Sequence, residues 1–298
     1  MSNSENISNI INIQIMRKIL IKVLDFIQLS ALKREIARGE ILSSEKEVRL
    51  VRLPNSCEAI KLYIKKYNLC DEALLAMLEH PNAAELIEIY TEDISLCEKA
   101  EERMFEMPKL EKLAESYIEK HCLCKKAQLK MVRHHKASRF LKLYLQKYGL
   151  FREAQVELFK HPKVEELVKI YIQEDCFCDE AQLLMLSLPK AKKFLKLYIQ
   201  KYSFCEAAEL KMFTLPNPEK IVGLYIQDDC LCDEAEIKMY ELPNARELVK
   251  DYITRCSLCE KAQWKMLELP NAKELVHLYL KRYCFCDEVM EVIARGNF

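Results

Sequence analysis

The sequence is dominated by a unit with a period of 27 positions, which recurs nine times without insertion or deletion. In the clearest copy, residues 242–268, Asn244 precedes one run of spaced apolar residues and Ser257 precedes a second. Within each run the apolar residues lie three and four positions apart, the spacing of one face of an α-helix. Each unit therefore predicts a helix, a turn, a second helix and a second turn. The nine copies begin at Pro54, Pro81, Pro108, His135, Pro162, Pro189, Pro216, Pro243 and Pro270.

Helices this short cannot bury their apolar stripes alone, so neighbouring units are expected to stack and share one continuous core. Stacked helical hairpins of this kind make the chain similar to the α-solenoid superfamily, typified by HEAT and tetratricopeptide (TPR) repeats. The resemblance covers residues 54–298 and concerns the architecture alone, so it carries over no functional residue. The expected fold is all-α, an α-solenoid of nine helix-turn-helix repeats.

Residues 1–53 do not fit the unit and predict a divergent N-terminal helical cap. A long amphipathic helix is expected from about Ile10 to Arg38, ended by Gly39, and a shorter one from about Ser44 to Leu53. A cap is needed because an open solenoid end exposes apolar surface. Dimerisation through the long helix is the alternative. The predicted domains are thus a cap at 1–53 and a solenoid at 54–298.

One position of the unit is tyrosine in every copy. A row of tyrosines could serve as a stacking platform for bases, but we expect a core row whose hydroxyls bond to the neighbouring repeat. The tyrosines are Tyr63, Tyr90, Tyr117, Tyr144, Tyr171, Tyr198, Tyr225, Tyr252 and Tyr279.

The chain has 14 cysteines, and most follow the repeat. Eight occupy one position, which is expected to be apolar because Phe151 replaces cysteine there in one copy. Four more lie two residues upstream, at the predicted N-cap of the second helix, where other copies carry serine or asparagine. Metal binding and a disulfide framework are both disfavoured, because the chain is long and shows no export signal.

Charge is segregated between residues 85 and 152. Residues 85–119 hold eleven carboxylates against four bases, whereas residues 120–152 hold ten bases and no carboxylate. One interpretation is an anion-binding patch for a nucleic-acid backbone or an acidic protein segment. The other is that these bases neutralise the acidic repeat stacked beside them. The candidate binding residues are Lys120, Lys125, Lys126, Lys130, Arg133, His134, His135, Lys136, Arg139, Lys142 and Lys147, with Lys136, Arg139 and Lys142 preferred because they lie off the apolar stripe of their helix.

The same segment contains a set of residue types suited to zinc, namely His121, Cys122, Cys124, His134 and His135. The thiols begin a predicted helix and the histidine pair follows its end, so they lie roughly 15 Å apart at the helical rise per residue. Zinc ligands must converge to within about 2.3 Å of one ion. No metal site is therefore predicted.

The residue near the end of each first helix changes sign along the chain, as Lys147, Glu174 and Lys201 illustrate. The alternation predicts ion pairs between neighbouring repeats.

Composition narrows the class of protein. The formal net charge is +0, so the whole chain has no general attraction for nucleic acid or an anionic membrane. Four glycines leave little room for phosphate-binding loops, and the common catalytic motifs are absent from the sequence. We expect a non-enzymatic protein without a cofactor.

The most apolar run, residues 10–29, is interrupted by four charged residues and lacks the features of a signal peptide. A soluble, cytoplasmic protein that does not contact membranes is therefore expected, with its oligomeric state open.

The leading functional hypothesis is an interaction scaffold that binds a protein or peptide through its variable surface. Nucleic-acid binding through residues 120–152 and a structural spacer are the alternatives. Trp264, the single tryptophan, is either a large core residue or an exposed anchor for a partner.

Overall fold

A computed structural model describes the backbone of residues 2–296 and the side chains of residues 14–296. All regular structure in that range is helical and no strand occurs there, which confirms the predicted all-α solenoid. A single 3-10 turn, Pro108–Leu110, precedes α7. The helices are α1 Ser2–Ala37, α2 Ser44–Arg52, α3 Cys57–Ile64, α4 Asp71–Glu79, α5 Ala83–Tyr90, α6 Glu98–Glu106, α7 Glu111–Ile118, α8 Lys125–Arg133, α9 Ala137–Tyr144, α10 Arg152–Leu158, α11 Val164–Glu174, α12 Asp179–Leu186, α13 Ala191–Tyr198, α14 Glu206–Met212, α15 Pro218–Tyr225, α16 Asp233–Met239, α17 Ala245–Tyr252, α18 Glu260–Leu267, α19 Ala272–Leu280 and α20 Asp287–Ala294.

The helices form two compact units, Met1–Tyr148 and Gly149–Phe298. In the first unit the first helices of successive repeats (α3, α5, α7, α9) pack one on the next, and so do the second helices (α4, α6, α8). In the second unit the second helices α10 to α18 stack in the same way. Each second helix also contacts the first helix of the following repeat within its unit. Stacking of this kind is what the short amphipathic helices require.

The N-terminal segment contributes helices to the first stack. α2 packs against α4 as a second helix does in later repeats, and Leu50 and Val51 are buried at that contact. Gly39 ends the turn after α1 with a φ of 76°, a left-handed conformation that suits glycine. α1 begins at Ser2, earlier than the predicted Ile10. The domain boundary after residue 53 stays a prediction.

The two ends of α1 differ in their surroundings. Leu29, Leu32 and Ile36 are buried, and α1 packs against α3. Further towards the N-terminus the same helical stripe carries Lys18 and Lys22, while large apolar side chains lie exposed elsewhere on the helix. These exposed residues are Ile15, Met16, Ile19, Leu20, Ile21, Val23, Leu24, Phe26 and Ile27. None of the helices that the structure describes is both long enough and apolar enough to cross a lipid bilayer.

The tyrosine row lies in the core, as predicted. Tyr117 and Tyr252 are buried, and each hydroxyl accepts a hydrogen bond from the backbone N–H of a residue 21 positions earlier, in the preceding repeat. The distances are 3.0 Å from Leu96 N and 3.1 Å from Leu231 N. The expectation that the hydroxyls bond to the neighbouring repeat is confirmed for these tyrosines. It is wrong for Tyr171, whose hydroxyl donates within its own repeat to Asp175 and to the Cys176 carbonyl, and Tyr198 makes no close hydrogen bond among the described residues.

The second helices start two residues later than predicted. In the eighth repeat the N-cap is Cys259 rather than Ser257, and helix α18 begins at Glu260. Ser257 does not act as the cap, because a side chain of the preceding repeat accepts a hydrogen bond from the backbone N–H of Cys259. Its partner is the buried carboxylate of Glu236, whose Oε2 lies 2.7 Å from Cys259 N. The cap is thus supplied by a residue 23 positions earlier.

Glu236 represents a repeated position that sequence reasoning missed. Its Oε1 accepts a hydrogen bond of 2.7 Å from the Tyr252 hydroxyl, so one carboxylate joins the tyrosine row to a helix start. Where glutamine replaces glutamate, as at Gln263, Oε1 accepts from Cys286 N at 2.9 Å and Nε2 donates to the Leu258 carbonyl. Both side chains offer a carbonyl-type oxygen, which explains their exchange. The buried members are Glu47, Glu101, Gln128, Gln155, Gln182, Glu209, Glu236 and Gln263.

The predicted ion pairs at the ends of the first helices do not form as expected. Lys147 Nζ donates instead to the backbone carbonyl of Glu119 at 2.7 Å, and Lys201 Nζ donates to that of Gln173 at 2.6 Å. Arg282 bonds in the same way to Thr254. Carbonyls at a helix C-terminus lack helical partners and carry partial negative charge, so a cation is favoured there without a carboxylate.

One pair of cysteines forms a disulfide, although a disulfide framework was not expected. Cys230 and Cys256 lie in successive repeats with their Cα atoms 5.9 Å apart. Cys256 lies at neither of the recurrent cysteine positions, so an alignment of the repeats does not predict that it pairs with Cys230. The eight recurrent cysteines are half-buried rather than fully buried.

Candidate functional site

The acidic residues of 85–119 and the basic residues of 120–147 meet on the surface of the first unit, which we call the acid–base face. Because α6 stacks on α8 and α7 on α9, a side chain on one helix meets the side chain 24 positions later. Lys130 Nζ lies 2.6 Å from Glu106 Oε1, and Arg139 lies 2.7 Å from Glu115. The stacking register therefore pairs the two charged segments.

These pairs include carboxylates that are well covered. The Glu115 side chain is 14% exposed and that of Glu111, which pairs with Lys136, is 16% exposed. The hydrogen bond from Lys136 lowers the pKa of Glu111, and the hydrogen bond from Lys130 is the largest cause of a lowered pKa at Glu106. The preferred contacts Lys136 and Arg139 are thus engaged within the protein.

Two histidines adjoin the same carboxylate. His135 Nε2 lies 3.2 Å and His134 Nε2 lies 3.8 Å from Glu111 Oε1. His134 Nδ1 accepts a hydrogen bond of 3.1 Å from the backbone N–H of Lys136, so its proton is on Nε2, facing Glu111. Burial lowers the pKa of His134. Glu111, His134 and His135 lie close enough for one ion. Metal binding through His134 Nε2 would require its proton to move to Nδ1, which would break the hydrogen bond from the Lys136 backbone N–H.

The zinc set considered from sequence is not brought together. His121 Nε2 lies 2.8 Å from the Thr91 carbonyl oxygen, and Cys122 Sγ lies 3.4 Å from the Tyr144 hydroxyl. Cys124 caps the start of α8, whereas His134 follows its end. Over residues 14–296, none of the close groups of metal-binding side chains combines these thiols with the histidines.

The remaining candidates are distributed along the same helices. Lys126 pairs with Glu102 at 3.7 Å, while Lys125 and Arg133 begin and end α8. Lys120 and Lys142 are exposed. Trp264 is half-buried on α18, which fits neither a core residue nor a fully exposed anchor, so its role as an anchor stays a prediction.

The geometry thus favours the second interpretation of the charged segments, in which the bases neutralise the acidic repeat beside them. Nucleic-acid binding by this face stays a prediction. Comparisons with protein-family models, with curated proteins and with solved structures found no match to this chain.

Sequence reasoning missed the buried glutamate and glutamine position. An available signal was that Glu or Gln directly follows the recurrent alanine, as in Ala100-Glu101 and Ala127-Gln128. A position beside an apolar stripe that mostly carries glutamate or glutamine indicates a hydrogen-bonding role for the side-chain oxygen.

Proposed function

We propose that the protein is an interaction scaffold that binds a protein or peptide partner on the surface of its first helices. The observation that supports this is the contrast between a repeated interior and a varied exterior. The tyrosine row and the Glu/Gln position recur through the stack, so they form the core that the repeats share. One position of the first helices, exposed or half-buried in every repeat, carries lysine, glutamate, glycine or histidine. Its residues are Lys61, Glu88, Glu115, Lys142, Lys169, Lys196, Gly223, Lys250 and His277.

Such a surface suits recognition because each repeat adds one variable position to the stack of its unit. Selection of peptides from a random display library on the full chain tests the proposal. Enriched peptides are expected to lose binding to a Lys142→Glu/Lys250→Glu variant. They should still bind a Glu72→Lys/Glu234→Lys variant, which changes exposed positions of second helices. Failure to enrich any peptide, or equal loss in both variants, would contradict the proposal.

Nucleic-acid binding is tested separately with a mixed DNA and RNA pool at low and high salt, because phosphate contacts weaken steeply as salt rises. Because Lys136 and Arg139 already pair with carboxylates, we expect weak binding at low salt. Tight binding that a Lys136→Glu/Arg139→Glu/Lys142→Glu variant abolishes would favour nucleic acid over a protein partner.

A further inference from the structure

The second unit carries a groove on its first helices that is lined mainly by lysines. The lysine groove runs along α13 and reaches Lys169 on α11, with a volume of about 720 Å³. The residues that matter to its chemistry are Lys169, Lys190, Lys192, Lys193, Lys196 and Leu197. All five lysines are exposed. The sequence signal was the absence of any carboxylate from position 181 to position 205.

Most of these lysines lack a counter-charge. Lys190 Nζ lies 2.9 Å from Glu165 Oε2. The other four groove lysines make no ion pair with any residue in the described range 14–296. The groove therefore presents several ammonium groups to solvent at short range, which repel one another until an anion binds.

The stacking register gives a different result in several other repeats. There a first-helix charge meets its opposite 24 positions later: Lys61 lies 2.7 Å from Glu85, and Lys250 lies 2.7 Å from Glu274. In the same register, the counterpart of Lys169 is Lys193. The register that neutralises charge in other repeats thus brings together like charges here.

The five ammonium groups are spread over two helices, with Lys169 on α11 and the other four at or along α13. An extended anion with several negative charges, rather than a single small one, matches this arrangement.

The lining also indicates which class of polyanion fits. Lysine stems are aliphatic, and with Leu197 they give the groove an apolar floor beneath a charged rim. Sites for single-stranded nucleic acid stack bases on aromatic side chains, and arginine is the usual residue for bidentate phosphate contacts. Neither residue type occurs among the described residues that line the groove. A segment with carboxylates and aliphatic side chains matches both the rim and the floor.

We propose that the lysine groove binds an acidic peptide segment of a partner protein, with glutamate or aspartate carboxylates at Lys169, Lys193 and Lys196 and an aliphatic side chain over Leu197. The proposal rests on the proposed scaffold function and specifies the chemistry of one partner.

Fluorescence anisotropy of the full chain with a labelled peptide of alternating glutamate and leucine tests it. A Lys169→Gln/Lys193→Gln/Lys196→Gln variant is expected to bind this peptide on the order of tenfold more weakly. The matched control is Lys46→Gln/Arg103→Gln/Lys160→Gln, which removes as many positive charges from basic side chains that lie outside the first helices and already pair with carboxylates. The control should bind as the wild type does, and far-ultraviolet circular dichroism should show that both variants keep their helices.

Binding that weakens with salt, and that is lost when glutamine replaces glutamate in the peptide, supports the proposal. Equal loss in the control variant would overturn it, as would tighter binding of a single-stranded DNA with the same number of charges. If the acidic peptide fails to bind while display-selected peptides bind elsewhere, the groove proposal falls and the scaffold function stands. If neither binds, both fall.

Discussion

Glu236 and Gln263 occupy the same buried position of successive repeats but differ in charge. Glu236 is 3% exposed and takes hydrogen bonds from the Tyr252 hydroxyl and from Cys259 N. Burial is the largest cause of the raised pKa of Glu236, so the ionised form is less favourable in the folded protein than in the unfolded chain. Gln263 fills an equivalent place without a charge.

Glu236→Gln is therefore expected to fold at least as stably as the wild type at neutral pH. An acid with a raised folded-state pKa makes folding more favourable as the pH falls through that pKa, and this gain is complete below the unfolded pKa of about 4.3. Glu236→Gln should not show this increase in stability at acidic pH, because glutamine does not titrate. Urea unfolding at neutral and mildly acidic pH measures the difference, and an unchanged pH dependence would contradict the assignment.

The hydroxyls of the tyrosine row differ in their partners, which gives a second test. Tyr252→Phe removes the donor to Glu236 and the acceptor of Leu231 N–H, at a cost of about 1–3 kcal/mol in the free energy of unfolding. The Tyr198 hydroxyl is buried and makes no close hydrogen bond among the described residues, with Phe177 N–H and Gln182 only weakly engaged, so Tyr198→Phe should cost less. Urea denaturation of the two variants compares them. A larger cost at Tyr198 would be inconsistent with the network.

The tyrosine row was predictable because its position never changes, and a buried hydroxyl needs a partner. The carboxylate that accepts from the tyrosine hydroxyl was not predictable, because the spacing of apolar residues alone makes Glu236 and Glu101 look like surface residues. Their burial depends on the register between two repeats, which no single unit contains.

At the scale of the element, α1 is one continuous helix with two different environments. Its C-terminal part packs against α3, whereas large apolar residues of its middle part are exposed. The continuous helix and its end at Gly39 followed from the sequence pattern. The change of environment did not, because a periodic pattern shows that a stripe is apolar but not what covers it.

Two matched substitutions test that division of α1. Leu32 is 5% exposed, so Leu32→Ala is expected to lower the free energy of unfolding by about 2–5 kcal/mol through a cavity. Leu20 is 61% exposed, and Leu20→Ala should change it by less than about 0.5 kcal/mol. Chemical denaturation measures both. Similar costs at the two sites would mean that the middle of α1 is covered.

The helix starts show a second limit of sequence reasoning at this scale. Serine at residue 257 is a good N-cap by residue type, yet α18 begins after Cys259. The local rule was outweighed because Glu236 supplies an acceptor from another repeat. Non-local caps of this kind become visible only when repeats are stacked.

For the molecule as a whole, the cysteines fall into groups with different chemistry. Burial raises the pKa of Cys124, Cys232 and Cys259 to about 11, and these thiols are half-buried at helix starts. Others, at Cys122, Cys176 and Cys284, are exposed.

Alkylation at neutral pH should therefore label the exposed cysteines first, because the thiolate is the reactive form and must be reached by the reagent. Labelling of Cys124, Cys232 and Cys259 should rise as the pH approaches about 11. Peptide mapping by mass spectrometry follows the order. Early labelling of the helix-start cysteines in the folded protein would contradict their protection.

The disulfide joins two successive repeats of the second unit. Breaking Cys230–Cys256 with a reductant is expected to lower stability by about 3 kcal/mol, the usual effect of releasing a loop of this size. A Cys256→Ser variant should be less stable than the oxidised wild type and insensitive to the reductant. Equal sensitivity of both proteins would show that another bond is responsible.

The charged candidate site was predictable in part. A count along the sequence found the segregation of acids and bases around Lys120, but not their pairing, which depends on the register between stacked helices. The same register distinguishes the acid–base face from the lysine groove, which both Lys169 and Lys193 line. Charge counts locate such segments, and the stacking register decides whether they are neutralised.

Glu47 in α2 is the first of the side chains that cap a helix from an earlier position in the chain. Its carboxylate binds Cys70 N at 2.7 Å and so caps α4, just as later members of the series cap the repeat that follows them. Each cap therefore comes from residues already synthesised when the helix that needs it leaves the ribosome. A chain growing from its N-terminus can thus dock most new hairpins onto a repeat that has already been synthesised, whereas removal of α2 would leave the first hairpin without its partner for Cys70 N–H.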